Sequence, residues 1–394
     1  MTKRIISLGY ISSIIIVAVM TLISFAYAQS LELKLLMQTY TNDKYYNCVC
    51  WLTSHNSFAH NRDKTGAINN TFYLHPNQIL NIKEQLEFGV RGFMIDLYEN
   101  DDKNKPIILS HRRTETSWDN YDQDFLYPFL HTIKEWLNDP ENADDIITLH
   151  LESYVRSYKK IIDVIDALDI RDENKNVLAL KSFLFDLCEY SGGASKTGRA
   201  ECVWPNSKKT IKWPTLGEMR RTNKRLIIFS DKTEDAGYGI MHVSNTMETQ
   251  YDLSEFPICE KRSEGRKQNA PIFIMNHFHK YIVVPGISLL YDYDKVNTRG
   301  ALLLRAGACC LQESQCPNFI AIDNVGSTKD RGRQIVLAIN EYNEKCCITV
   351  QVPIIETPNL QQKEQLVEII VKNEDGVDLE ENIKEDLKEY HDEL

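Results

Sequence analysis

Apolar runs of strand length alternate along the chain with amphipathic segments. The runs are "NCVCWLTS", "VRGFMIDLY", "PIILSH", "DIITLHLES", "RLIIFSD", "PIFIMNH", "GALLLRA" and "NFIAIDN", most of them closed by a polar residue. Helical patterns lie between several of them. The clearest covers residues 121–139, where Phe125, Phe129, Ile133 and Trp136 recur at helical spacing before Pro140. Pro128 falls in the first turn of that helix, where proline is tolerated, or marks a kink. Near-continuous apolar strands separated by helices predict a parallel sheet covered on both faces. Eight of them in one unit predict an α/β fold, a distorted TIM-type (β/α)8 barrel, whose functional groups gather at the C-terminal strand ends. The polar residues in those places are His55, Asn56, Asp96, His111, Glu152, Ser230, Asp231, Asn276, His277, Asp323 and Asn324.

The two ends of the chain read differently from this middle. Lys3 and Arg4, an apolar run and Ala26-Tyr27-Ala28 describe a cleavable secretory leader over residues 1–28. The same run is close to the minimum length of an uncleaved anchor. From Glu356 onward acidic side chains outnumber basic ones, so residues 351–394 are read as an acidic extension with too little apolar surface for a core. The extension ends in His391-Asp392-Glu393-Leu394, an HDEL signal read by a retrieval receptor of the endoplasmic reticulum. Entry and retrieval signals together predict a resident of the lumen, with residues 29–350 as its barrel.

Ten cysteines suit an oxidising compartment, and with no C-x-x-C pair a zinc knuckle or thioredoxin-like centre is disfavoured. Cys188 with Cys202 would close one loop, and Cys309 or Cys310 could meet Cys346 or Cys347. Asn69-Asn70-Thr71 is an acceptor pattern for N-glycosylation. A formal charge of -11, more negative still once the leader departs, argues against nucleic acid as a partner.

Histidines and carboxylates converging on one rim can do acid/base chemistry or hold a hard cation. No G-x-S-x-G elbow or Walker-type loop is present, which disfavours acyl transfer and nucleotide hydrolysis. A phosphodiester cleaved by internal attack would use this set of groups.

The ordered series "TSHNSF", "GVRGFMIDLY", "IILSHRR", "IITLHLESY", "WPTLGEMRRTNKRLIIFSD" and "FIAIDN", with "METQYD" after the fifth strand, resembles the X-domain of phosphatidylinositol-specific phospholipase C. The likeness is to the secreted single-domain phosphodiesterases and covers about residues 45 to 330. It implies His55 as general base or as stabiliser of the phosphorane-like transition state, depending on the subfamily, and His111 as the general acid for the leaving oxygen. It also implies calcium on Asn56, Asp96 and Glu152. Met94 departs from the pattern, because a thioether stands where a glutamate ligand is expected and would weaken that site. Glu99 or water could substitute.

Other residues have two readings each. Asp323 either orients His55 or caps a loop. Arg112 either grips the phosphate or faces solvent. Asn276 and His277 either contact the inositol ring or satisfy backbone, and Lys212, Arg225 and Tyr251 are candidates for the pocket wall. The resemblance implies a phosphoinositol lipid as substrate, a GPI-type lipid among the candidates, with transient contact at a membrane surface. Two alternatives remain: a lumenal module that binds a lipid headgroup or a protein without turnover, and a glycerophosphodiesterase-like barrel. Met94-x-Asp96 counts against the latter, which uses an E-x-D pair.

Overall fold

The computed structural model describes residues 42–60, 77–100, 106–110, 124–168, 177–193, 212–232, 240–242, 246–251, 259, 271–278, 296–313, 315–326 and 331–346. The leader, the Asn69 acceptor and the acidic extension lie outside these residues, as do His111, Arg112 and Cys202.

Among the described residues, ten strands form one mixed sheet. They are β1 (Trp51–Ser54), β2 (Gly92–Glu99), β3 (Ile107–Leu109), β4 (Asp124–Phe125), β5 (Ile147–Ser153), β6 (Leu226–Ser230), β7 (Ile240–His242), β8 (Thr246–Glu248), β9 (Ile272–His277) and β10 (Phe319–Ile322). Eight of them run parallel in the order β7-β6-β5-β2-β1-β10-β9-β8. The sheet's two edges are thus strands consecutive in sequence, and the fold is a curled α/β sheet of the TIM-barrel type. Among the described residues no ladder joins β7 to β8.

The helices are α1 (Ile82–Phe88), α2 (Leu126–Asn138), α3 (Tyr158–Ala167), α4 (Leu187–Tyr190), α5 (Leu216–Arg221), α6 (Arg299–Glu313) and α7 (Arg331–Cys346). Asn81 and Glu84 form a reciprocal capping box at the start of α1, and Gly89 ends it at φ 110°, a conformation that favours glycine. Pro128 sits in the first turn of α2, whose Phe129, Ile133 and Trp136 are buried; Phe125 belongs to β4 instead.

Two of the expected strands fare differently. "GALLLRA" lies inside α6, because its buried positions Leu302, Ala306, Cys309 and Cys310 repeat at helical spacing once the run is extended. "PIILSH" contributes β3, but that strand pairs antiparallel with β2 and with β4, outside the parallel path. The two remaining parallel strands are β7 and β8, three residues each, too short to carry a legible pattern.

Strand alternation sorts the side chains into two cores. Phe93, Ile95, Leu149 and Ile228 point outward under the helices. Tyr46, Trp51, Phe229, Ile274 and Phe319 point inward and fill the lower barrel, with Met94 packed against them. Fully burying each such side chain contributes roughly 1.5–3 kcal/mol of transfer free energy.

Disulfides tie the region around α6: Cys259 to Cys309 and Cys310 to Cys316. The expected pairing of Cys309 or Cys310 with Cys346 or Cys347 is therefore incorrect. The turn after α6 returns the chain to Cys310 six residues later, a proximity that sequence spacing alone does not reveal. Cys188 is also disulfide-bonded.

Candidate active site

β1 ends in a tight turn. Asn56 takes φ 43°, within the left-handed region that asparagine tolerates better than most residues, so the chain reverses as soon as the strand stops. His55 is held at that corner by its own backbone N–H, which donates to the Ile322 carbonyl at 3.0 Å. Its side chain faces Asp323, the residue after β10. The Asp323 carboxylate accepts from His55 Nδ1 at 2.8 Å and is 1% exposed. One face of the imidazole stacks on Phe278 at 3.6 Å between centroids. With Nδ1 engaged by a carboxylate, Nε2 is the basic nitrogen, the arrangement used when an imidazole must take a proton.

Residues absent from the sequence reading build the support. Asn77 Nδ2 donates to both Asp323 oxygens, at 3.0 and 3.1 Å. Gln78 Nε2 donates to the carbonyls of His55 and Ile322, and its Oε1 accepts from the Val325 N–H. Asn297 Nδ2 donates to the Asp323 carbonyl at 2.8 Å. These amides lie in polar stretches with no periodic signal, so the sequence offered no reason to single them out.

Beside the pair lies a cavity at the C-terminal ends of β1, β2, β5 and β6. His55, Asn56, Asp96, Glu152 and Tyr251 all line it, and so does Met94. Asp96 and Glu152 occupy partner positions on adjacent parallel strands, which brings both side chains to one level. The Tyr154 hydroxyl donates to Glu152, and the Tyr251 hydroxyl reaches its other oxygen at 3.4 Å. Burial, and then the bond to Glu152, push the Tyr154 phenol above its ordinary range.

Two further ionisable residues on this wall were missed. His150 stands two residues before Glu152 on β5, and the strand's two-residue period could have flagged it. It is 5% exposed and packs between Phe229 at 5.5 Å and Phe319 at 4.6 Å. Glu248 lies on β8, a strand the sequence did not disclose.

Other expected contacts fall elsewhere. Arg225 is buried at the far end of the barrel, where its guanidinium donates to the carbonyls of Leu137, Asn142 and Asp145. Lys212 lies by Ser191, whose hydroxyl its backbone N–H meets at 2.9 Å, and does not line the cavity. His277 Nε2 bonds the Val296 carbonyl at 2.9 Å, and Asn276 is buried beneath Glu248, so both satisfy internal partners. Glu99, the suggested substitute ligand, accepts from the N–H groups of Arg156 and Ser157 at the start of α3 and pairs with Lys160.

The PI-PLC X model, described as PI-PLC X 1, matches residues 43–172 and 184–338. The chain belongs to the PI-PLC X family. Among curated proteins it is similar to PI-PLC X domain-containing protein 1 of Arthroderma benhamiae, 27% identical over 56% of this chain and 61% of that protein. PI-PLC X domain-containing protein At5g67130 of Arabidopsis thaliana is 25% identical over 71% of this chain and 58% of its own length. A protein of Arthroderma benhamiae described as an uncharacterized secreted protein is 24% identical over 69% of this chain and 58% of its length. The chain thus spans about three fifths of each of these relatives. Among solved structures, the phosphatidylinositol-specific phospholipase C of Listeria monocytogenes aligns with a TM-score of 0.43 at 14% identity, over 77% of this chain and 97% of that one.

In this PI-PLC X domain, Asn56, Asp96 and Glu152 present the hard oxygen donors that calcium favours. Met94, which lines the same cavity, offers only sulfur, and Glu152 already accepts from two tyrosines. Among the described residues no three His, Cys, Asp or Glu side chains are close enough to enclose an ion. The donor set therefore fits a weak site that water must complete.

Proposed function

We infer that the protein is a phosphoric diester hydrolase that cleaves the glycerol side of a phosphoinositol lipid in the manner of a phospholipase C. The observation carrying this reading is the His55–Asp323 pair, fixed by Asn77 at the mouth of a carboxyl-rich cavity. Family membership supports it.

His55 Nε2 takes the proton of the inositol 2-hydroxyl, and the freed oxygen attacks phosphorus. The bond to the glycerol oxygen breaks, and that oxygen receives a proton from His111, leaving diacylglycerol and a cyclic inositol phosphate. In the second step His111, now neutral, takes a proton from water as its oxygen adds to phosphorus, and His55 returns its proton to the 2-oxygen as the ring opens. Asp323 steadies the imidazolium between these steps. Arg112 grips the phosphate, and Tyr251 serves the headgroup at the cavity wall. Calcium, held by Asn56, Asp96 and Glu152, would supply positive charge beside the phosphate.

The leader and HDEL signal support residence in the endoplasmic reticulum lumen, with the retrieval receptor as a partner and GPI-type lipids among the substrates available there. No helix of the described residues is long and apolar enough to cross a membrane. Contact with lipid is read as transient, at a membrane surface.

The test is incubation with phosphatidylinositol and a GPI substrate, with calcium and with chelator, beside His55→Ala and His111→Ala. Release of a cyclic inositol phosphate, lost in both variants, is the expected result. Met94 supports a second reading, a headgroup-binding module without turnover; binding with no release of product from either lipid would select it.

A further inference from the structure

Two disulfides meet on α6 through its neighbouring residues Cys309 and Cys310, and their surroundings differ. The Cys259–Cys309 bridge is sealed. Both residues are 0% exposed, and the Gln312 side chain accepts from the Cys259 N–H at 3.3 Å and donates to its carbonyl at 3.5 Å. The Cys310–Cys316 bridge is lopsided: Cys310 is buried, whereas Cys316 is half-buried. Beside the buried sulfur stands the hydroxyl of Tyr342 on α7, 3.0 Å from Cys310 Sγ. A disulfide sulfur carries no hydrogen, so the tyrosine is the donor.

That asymmetry gives thiol–disulfide exchange a direction. An attacking thiolate must reach one sulfur of the bridge, and the bond breaks faster when the departing sulfur is the better stabilised as a thiolate. Access favours attack on Cys316. Departure favours Cys310, because a hydrogen bond from Tyr342 stabilises the charge that develops on its sulfur. Both preferences act on the same bond in the same sense. The sealed bridge presents no sulfur to an attacking thiol.

We propose that Cys316 is a thiol-exchange site for a small thiol of the glutathione class, with Cys310 as leaving group and Tyr342 as the residue that assists its departure. The incoming thiolate bonds to Cys316 Sγ, the bond to Cys310 Sγ breaks, and Cys310 leaves with the electron pair as a thiolate that Tyr342 holds. A second thiolate attacks the incoming sulfur and releases Cys316, so two small thiols end as their disulfide and the protein gains two electrons and two protons. The place in the fold gives the exchange a consequence. Asn318, two residues beyond Cys316, ties the start of β10 to its neighbours: its carbonyl accepts from the Trp51 N–H, its own N–H donates to the Phe273 carbonyl, and its Oδ1 accepts from the Phe273 N–H at 2.8 Å. Opening the bridge frees that anchor from α6 and loosens the strand that leads to Asp323. The inference does not depend on turnover of lipid.

The experiment exposes the folded full chain to reduced glutathione, quenches samples at intervals by alkylation, and maps the cysteines by peptide mass spectrometry. Cys310–Cys316 is expected to open about tenfold faster than Cys259–Cys309 or more, with the transient glutathione adduct on Cys316. Tyr342→Phe keeps the ring and removes the donor. It should slow the opening about fivefold, the worth of one hydrogen bond, with thermal melting used to check that the variant folds. Equal opening of the two bridges, an adduct on Cys310, or an unchanged rate in a folded Tyr342→Phe would overturn the proposal. Should the variant not fold, the position of the adduct and the two wild-type rates decide. Amide hydrogen exchange across β10 should quicken once the bridge is open, and unchanged exchange there would overturn the coupling to that strand.

Discussion

Asn77 donates one amide nitrogen to both carboxylate oxygens of Asp323, at 3.0 and 3.1 Å, and so sets the plane of the group that holds His55. The relationship spans 246 residues of sequence. It makes the orientation of the imidazole depend on a side chain with no chemistry of its own. Asn77→Ala is expected to lower kcat about tenfold with little change in KM, and Asp323→Asn by about a thousandfold or more, since an amide no longer steadies the imidazolium. Steady-state kinetics on phosphatidylinositol check both. Equal losses in the two variants would show that Asn77 does more than orient.

Met94 is the weak point of the candidate calcium site. Met94→Glu adds a third carboxyl group beside Asp96 and Glu152 and should lower the calcium concentration at half-saturation about tenfold. Asp96→Asn should remove the response. The change in Tm during a calcium titration reads this without reference to activity. An unaltered titration in Met94→Glu would show that calcium is bound elsewhere or not at all.

Glu99 ties the end of β2 to the start of α3. Burial alone would raise its carboxyl, but the Arg156 N–H and Lys160 outweigh that and hold it below the ordinary value. A depressed carboxyl stabilises the fold above the unfolded-state pKa, about 4.3, and the contribution is lost as pH falls through the folded-state value. Glu99→Gln should therefore cost about 1 kcal/mol at pH 7, the usual worth of a helix cap, and almost nothing near pH 3. Urea unfolding at the two pH values measures the difference.

Gly92 opens β2 on the inner face. A Cβ there would lie 2.3 Å from Thr53 Oγ1 on the neighbouring strand, and Thr53 is fully buried. Gly92→Ala should destabilise the barrel by about 1–3 kcal/mol, as overpacked cores do. Thermal unfolding gives the number. The double variant with Thr53→Ala, which removes the obstructing hydroxyl, should recover part of the loss.

Periodicity alone disclosed the six longer parallel strands, the α2 helix and, through the polar residues that stop each strand, His55, Asn56, Asp96, Glu152 and Asp323. These were legible because a buried strand needs a run of apolar side chains, and a polar residue that ends it is conspicuous. "GALLLRA" was misread because a short, mostly apolar run suits a strand and a buried helix equally well; its neighbours along α6 decide between them. β7 and β8 were invisible because three residues carry no period, and Glu248 was hidden with β8. Asn77, Gln78 and Asn297 left no local mark either. Their role lies in hydrogen bonds to residues 23 to 247 positions away, a relationship created when the sheet curls and brings β1 beside β10. The sequence determined which chemistry reaches the rim. The curl of the sheet decided which groups face one another there, because hydrogen-bond register between distant strands sets side-chain height and no stretch of chain encodes it alone.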